Sequence, residues 1–145
     1  MNLIKSWKKV FVSDLSNIIV ELKETIPVPA VLFLEGEVGA GKTTFAKIFI
    51  DKEEVSSPSY SLINEHEQIL HADLYRISDS KELIHLEIPM YIEEKEYFLI
   101  EWGERFHTAI ERIIGDEFKY FVLKIEINQN PENSNSSRNY LLYKF

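Results

Sequence analysis

Gly36-Glu37-Val38-Gly39-Ala40-Gly41-Lys42-Thr43 fits G-x-x-x-x-G-K-[ST] in full and adds a glycine at position 39. No other stretch constrains the fold so tightly, because such a loop works only where a strand feeds the chain into a tight turn and a helix leaves it. Both neighbours are present. Residues 30–34 (Ala-Val-Leu-Phe-Leu) are a continuous apolar run of strand length, as expected of a strand covered on both faces. Beyond the loop, Phe45, Ile48 and Phe49 recur at helical spacing.

The chemistry explains the residue types. Glycines let the backbone curl around phosphate groups with its N–H groups turned inward, and the following helix adds its N-terminal dipole to the same anion. The binding set is then Gly36, Glu37, Val38, Gly39, Ala40, Gly41, Lys42, Thr43 and Thr44, with the helix starting near Lys42. Lys42 reaches the β- and γ-phosphates, and the Thr43 hydroxyl is a ligand for Mg²⁺. The guanine-reading Asn-Lys-x-Asp motif is absent, so ATP is the expected nucleotide. A phosphate-loop enzyme also needs a carboxylate near the metal, usually at the end of a buried strand beside the loop strand. Glu101, after Phe98-Leu99-Ile100, is the first candidate, as metal ligand and catalytic residue. Asp73, after Ile69-Leu70-His71-Ala72, is the second, either orienting water or supporting the metal, against ordinary turn capping. On spacing alone Trp102 reads as core packing rather than a nucleotide or partner contact. His66 and His71 read as surface or strand histidines, since neither has a metal-spaced partner.

Periodicity places the remaining elements. Residues 8–12 read as a short strand, Ser13 or Asp14 as an N-cap, and Leu15, Ile18, Ile19 and Leu22 as one helix face that ends before Pro27 and Pro29. Residues 60–65 and 68–75 read as an extended pair, 79–86 as a short helix, 97–100 as a second buried strand, and 106–114 as a helix. Residues 119–128 alternate as a strand does, and 140–145 are expected to pair back on them. The fold class that follows is α/β: a P-loop NTPase-like three-layer fold with a mixed sheet and a C-terminal antiparallel hairpin. A chain of 145 residues suits one domain over positions 1–145.

Charge and composition exclude several function classes. A net charge of −8 argues against unaided binding to a nucleic-acid backbone, so any link to nucleic acid is expected to be indirect. The absence of cysteine excludes disulfides and thiolate metal sites. No stretch has the apolar length of a signal peptide or a membrane span, and the expected location is the cytoplasm.

Three further stretches, in order after the phosphate loop, carry a resemblance. They are Ser57-Pro58-Ser59-Tyr60, Asp73-Leu74-Tyr75-Arg76 and Ile100-Glu101-Trp102. They resemble the S-P-T-[FY], D-L-Y-R and I-E-W motifs of the bacterial TsaE (YjeE) ATPases of tRNA threonylcarbamoyladenosine biosynthesis. The resemblance implies that Lys42 binds phosphate, Thr43 and Glu101 hold Mg²⁺, Asp73 supports hydrolysis, and Trp102 belongs to the site. It implies a switch-like loop at Ser57 to Tyr60, and action on a partner complex of TsaD and TsaB. That complex modifies the adenosine beside the anticodon of tRNAs reading codons that begin with A. The sequence departs from the family at Ser59, where Thr is usual, at Ala72, where Phe is common, and at Glu87, where a Leu-Gly pair is usual. The segment between the loop helix and Ser57 is also shorter than expected.

Arg76 and Arg105 are the nearest candidates for an arginine finger within the chain, and neither position guarantees reach. Slow turnover alone and stimulation by partners are therefore expected. The alternatives are a nucleotide-dependent binding switch without significant turnover, and a small-molecule kinase, for which the chain looks short of a lid and an acceptor pocket.

Overall fold

A computed structural model describes residues 1–51, 62–129 and 136–145. The apolar run before the loop becomes β2 (Ala30–Glu35), whose first five residues are wholly buried. It pairs in parallel with β5 (Tyr97–Glu101) on one side and β6 (Lys119–Ile127) on the other. Beyond β5, β4 (Ile69–Asp73) is again parallel, and β3 (Ile63–His66) folds back on it as an antiparallel hairpin. Beyond β6, β7 (Arg138–Lys144) is antiparallel, and β1 (Asn2–Val10) is antiparallel to β7. The described residues thus form a seven-stranded mixed sheet in the order β1-β7-β6-β2-β5-β4-β3.

Successive β2 side chains point to opposite faces, and both faces are covered, which is why the run is apolar throughout. Leu32 and Leu34 pack with Leu22 of α1 (Leu15–Thr25) and with Phe45 and Phe49 of α2 (Lys42–Ile50). Val31 and Phe33 pack on the other face with Leu83 and Leu86 of the 3₁₀ segment Ser80–Leu86 and Ile110 of α3 (His107–Ile114). The result is the three-layer α/β arrangement, with β2 central, β5 buried beside it and the C-terminal hairpin formed by β6 and β7.

Three local expectations change. The first strand is Asn2–Val10 rather than 8–12, and Val12–Asp14 is a 3₁₀ turn. Its side chains are mostly exposed, so no alternation marks it. It is a strand because β7 pairs with it from the far end of the chain, Asn2 opposite Lys144. Asp14 precedes α1 as expected but caps the turn instead, accepting the Phe11 N–H at 3.0 Å. The short helix expected at 79–86 is 3₁₀, with the Asp79 carboxylate accepting the Lys81 N–H at 2.9 Å. It ends on Glu87 at φ 54, the left-handed region that glycine enters freely, so this departure from the family pattern places a side chain where a glycine is relaxed.

Candidate functional site

The C-terminal ends of parallel strands are where open α/β sheets bind ligands, and here the register brings the expected residues to that edge. Glu101, the last residue of β5, lies opposite Leu34 of β2 and Asp73 of β4. Residues 36–41 leave β2 there and enter α2 at Lys42. Gly41 holds φ 109, a conformation strained for any residue with a Cβ, and lets the loop turn into the helix. A cavity of about 400 Å³ opens at this edge. Val38, Gly39, Gly41, Lys42, Thr43 and Thr44 line one wall, and Asp73, Tyr75, Glu101 and Trp102 the other.

Lys42 is buried, and burial pushes its pKa down against the raising influence of Glu101, Glu35, Asp73 and Glu37. Its Nζ donates to the carbonyls of Gly36 at 2.6 Å and Glu37 at 2.9 Å, and lies 4.1 Å from the centre of the Trp102 ring. Gly36 and Glu37 therefore serve the site through backbone oxygens. Ala40 is fully buried behind the loop. A desolvated ammonium beside an open anion-sized space suits a polyphosphate better than any neutral ligand.

Glu101 is buried, and both its oxygens are engaged. Oε1 accepts the Thr43 hydroxyl at 2.8 Å and Oε2 lies 2.7 Å from His71 Nε2. A carboxylate only accepts, so the imidazole donates from Nε2. His71 does sit on a strand, yet it is wholly buried and bonded to a candidate metal ligand. Spacing could not show this, because the contact depends on β4 lying next to β5. The pairing of a threonine hydroxyl with a carboxylate beside a phosphate cradle is a donor set of hard oxygens, and it fits Mg²⁺, which takes few protein ligands and completes its shell with phosphate and water.

Asp73 accepts the Tyr75 N–H at 3.0 Å, and burial, reinforced by the Glu101 charge, pushes its pKa up. Tyr75 and Trp102 meet with ring centres 5.0 Å apart at the cavity mouth. Trp102 adopts φ 60 with its backbone N–H donating to the Leu34 carbonyl at 3.3 Å, and its indole lines the cavity over Lys42 instead of packing in the core. Two contacts that sequence reasoning missed hold this turn. Glu35 accepts the Glu104 N–H at 2.7 Å, and Gly103 packs against Ile100 and Phe33 where a Cβ would collide with both. Arg105, a finger candidate, instead ties down the 74–77 turn through Nη2 to the carbonyls of Leu74, Tyr75 and Ile77 at 2.8, 3.2 and 2.7 Å. Arg76 is exposed, and Ser57 to Tyr60 lie outside the described residues.

Fold and loop together place the chain in the α/β class with a P-loop-like strand–loop–helix. Residues 12–139 match the sequence profile of the family described as Threonylcarbamoyl adenosine biosynthesis protein TsaE, and the chain belongs to that family. Among its relatives, the TsaE protein of Nostoc is 35% identical over 117 residues, covering 70% of this chain and 72% of its own. That of Haemophilus influenzae is 37% identical over 82 residues, covering 51% and 52%, and that of Bacillus subtilis 35% over 104 residues, covering 60% and 65%. The crystal structure of Bacillus subtilis YdiB shares the fold with a TM-score of 0.62 at 21% identity, over 99% of this chain and 88% of that one.

Proposed function

We propose that the protein binds and hydrolyses ATP with Mg²⁺ as an accessory factor in threonylcarbamoyl modification of the adenosine next to the anticodon, in tRNAs reading A-starting codons. It acts on a partner complex of TsaD and TsaB type and meets tRNA only through that complex. The observation that carries this reading is the Thr43–Glu101 contact at 2.8 Å beside Lys42, set on the C-terminal edge of the sheet of a TsaE-family chain. Family membership supports the pathway. The net charge of −8 supports a protein partner over bare tRNA. No helix among the described residues is long and apolar enough to cross a membrane, and we place the work in the cytoplasm.

Each residue then has a task. The loop backbone from Gly36 to Thr43 holds the phosphates, Lys42 exchanges its loop carbonyls for β- and γ-phosphate oxygens, and Thr44 and Trp102 flank them. Thr43 and Glu101 hold Mg²⁺, which when bound neutralises charge on the phosphate oxygens. Asp73 faces the same space and orients the attacking water. Its raised proton affinity suits a group that accepts a proton as the water oxygen bonds to the γ-phosphorus and the β–γ bridge breaks.

Phosphate release, measured with the chain alone and then with TsaD and TsaB of the same organism, tests this. Slow release that rises on adding the partners is the expected outcome. Tight ATP binding with no release under either condition would leave a nucleotide-dependent binding switch, and transfer of phosphate to a small acceptor would leave a kinase.

A further inference from the structure

Arg138 opens β7 and is held in register from both sides, opposite Val10 of β1 and Ile127 of β6. Its guanidinium turns toward the phosphate loop. Nε donates to the Ala40 carbonyl at 2.9 Å, across 98 positions of sequence. Nη1 donates to both the carbonyl and the hydroxyl of Ser136 at 2.6 Å, which fixes the plane of the group. Ala40 is fully buried, and its own N–H is taken by the Glu37 carbonyl at 3.0 Å.

The 40–41 peptide is trans, so the Gly41 N–H points opposite to the Ala40 carbonyl. That carbonyl faces Arg138, outside the cavity. The Gly41 N–H therefore faces away from β7, on the side of the cavity that Gly41 lines. An inward N–H is what a phosphate needs, and an inward carbonyl would repel it. Rotation of the whole 40–41 peptide meets little steric resistance on the glycine side, because Gly41 at φ 109 has no Cβ to restrain it. Restraint must come from outside the loop.

We propose that Arg138 is a positioning residue that pins the Ala40 carbonyl outward and so keeps the loop in its anion-binding form. The proposal rests on the phosphate-loop reading and gives the C-terminal hairpin a role in it. The ligands it concerns are those with a diphosphate group, whatever base they carry.

The test compares the parent chain with R138M and R138K, using calorimetry with ADP·Mg²⁺ and with inorganic pyrophosphate, and the ¹H–¹⁵N signal of Gly41 during the pyrophosphate titration. R138M should bind both ligands about tenfold more weakly, the scale of one lost charge-assisted hydrogen bond, and the Gly41 signal should respond less. R138K, which keeps one donor for Ala40, should fall between. Unchanged affinity in R138M would overturn the proposal. So would a loss for ADP with pyrophosphate unaffected, since that would place Arg138 against the nucleoside. If R138M does not fold, S136A keeps the guanidinium but loosens it. It must then weaken pyrophosphate binding in the same direction, and unchanged binding overturns the proposal. A parent chain that binds neither ligand would instead sink the phosphate-loop reading itself.

Discussion

Lys42 is a buried cation whose partners are two backbone carbonyls and an indole face, contacts that substitute for phosphate oxygens rather than surpass them. Lys42→Ala should weaken ATP binding at least about tenfold, because hydrogen bonds to charged groups contribute about 1.5–3 kcal/mol each. Glu101→Ala should act mainly on the metal: it raises the Mg²⁺ concentration for half-maximal activity while binding of metal-free ATP changes less. Titrating Mg²⁺ at fixed ATP checks this, and an unchanged midpoint would remove Glu101 from the metal site. The phosphate loop was legible because its residues are contiguous and its requirements are local. Glu101 and Asp73 were legible as strand-end carboxylates after apolar runs. The His71–Glu101 bond was not, since 30 positions separate the pair and only the strand order joins them. The fate of Arg105 was left open for the same reason: nothing near it in sequence shows that three carbonyls of the 74–77 turn take its Nη2.

Elements are legible in the sequence where one face or both are buried. β2, β5, β6 and α1 carry their burial in their sequence, whereas β1 is mostly exposed and owes its pairing to β7 alone. The 3₁₀ stretch ending at Glu87 shows how a departure from a family pattern becomes a physical cost. A side chain in the left-handed region loses about 1–2 kcal/mol, part of which glycine's larger unfolded-state entropy would offset. Glu87→Gly should therefore raise unfolding free energy by up to about 1 kcal/mol in denaturant melts. In β7, burial pushes the Tyr140 hydroxyl from 10.0 up to about 12. Between those values the folded chain keeps a proton that the unfolded chain has released, so stability falls as pH rises through that window. Tyr140→Phe removes this contribution. Its unfolding free energy, followed by circular dichroism, should fall less steeply with pH than that of the parent.

At the scale of the whole molecule, the proposed site assigns phosphate to the loop and metal to Thr43 and Glu101, while Arg105, one of the two finger candidates, is held by the 74–77 turn. A finger supplied by a partner adds roughly 10³–10⁵ in rate, so if the proposed TsaD–TsaB partner supplies one, stimulation of that order is the expected outcome. Coupling in binding is reciprocal, and ATP should shift the partner's affinity by the same factor that the partner shifts ATP's, measurable by titration in both directions. The placement of Arg138 has a consequence for how such a chain is made. Synthesis delivers the loop first and its brace 98 positions later, on a strand that also serves as the template for β1. Until β7 emerges, β1 has no neighbour and the edge of β6 lies open, so the growing chain carries a phosphate loop that is complete in sequence but not yet held in shape. Competence to take nucleotide should arrive late and abruptly, with the last strand.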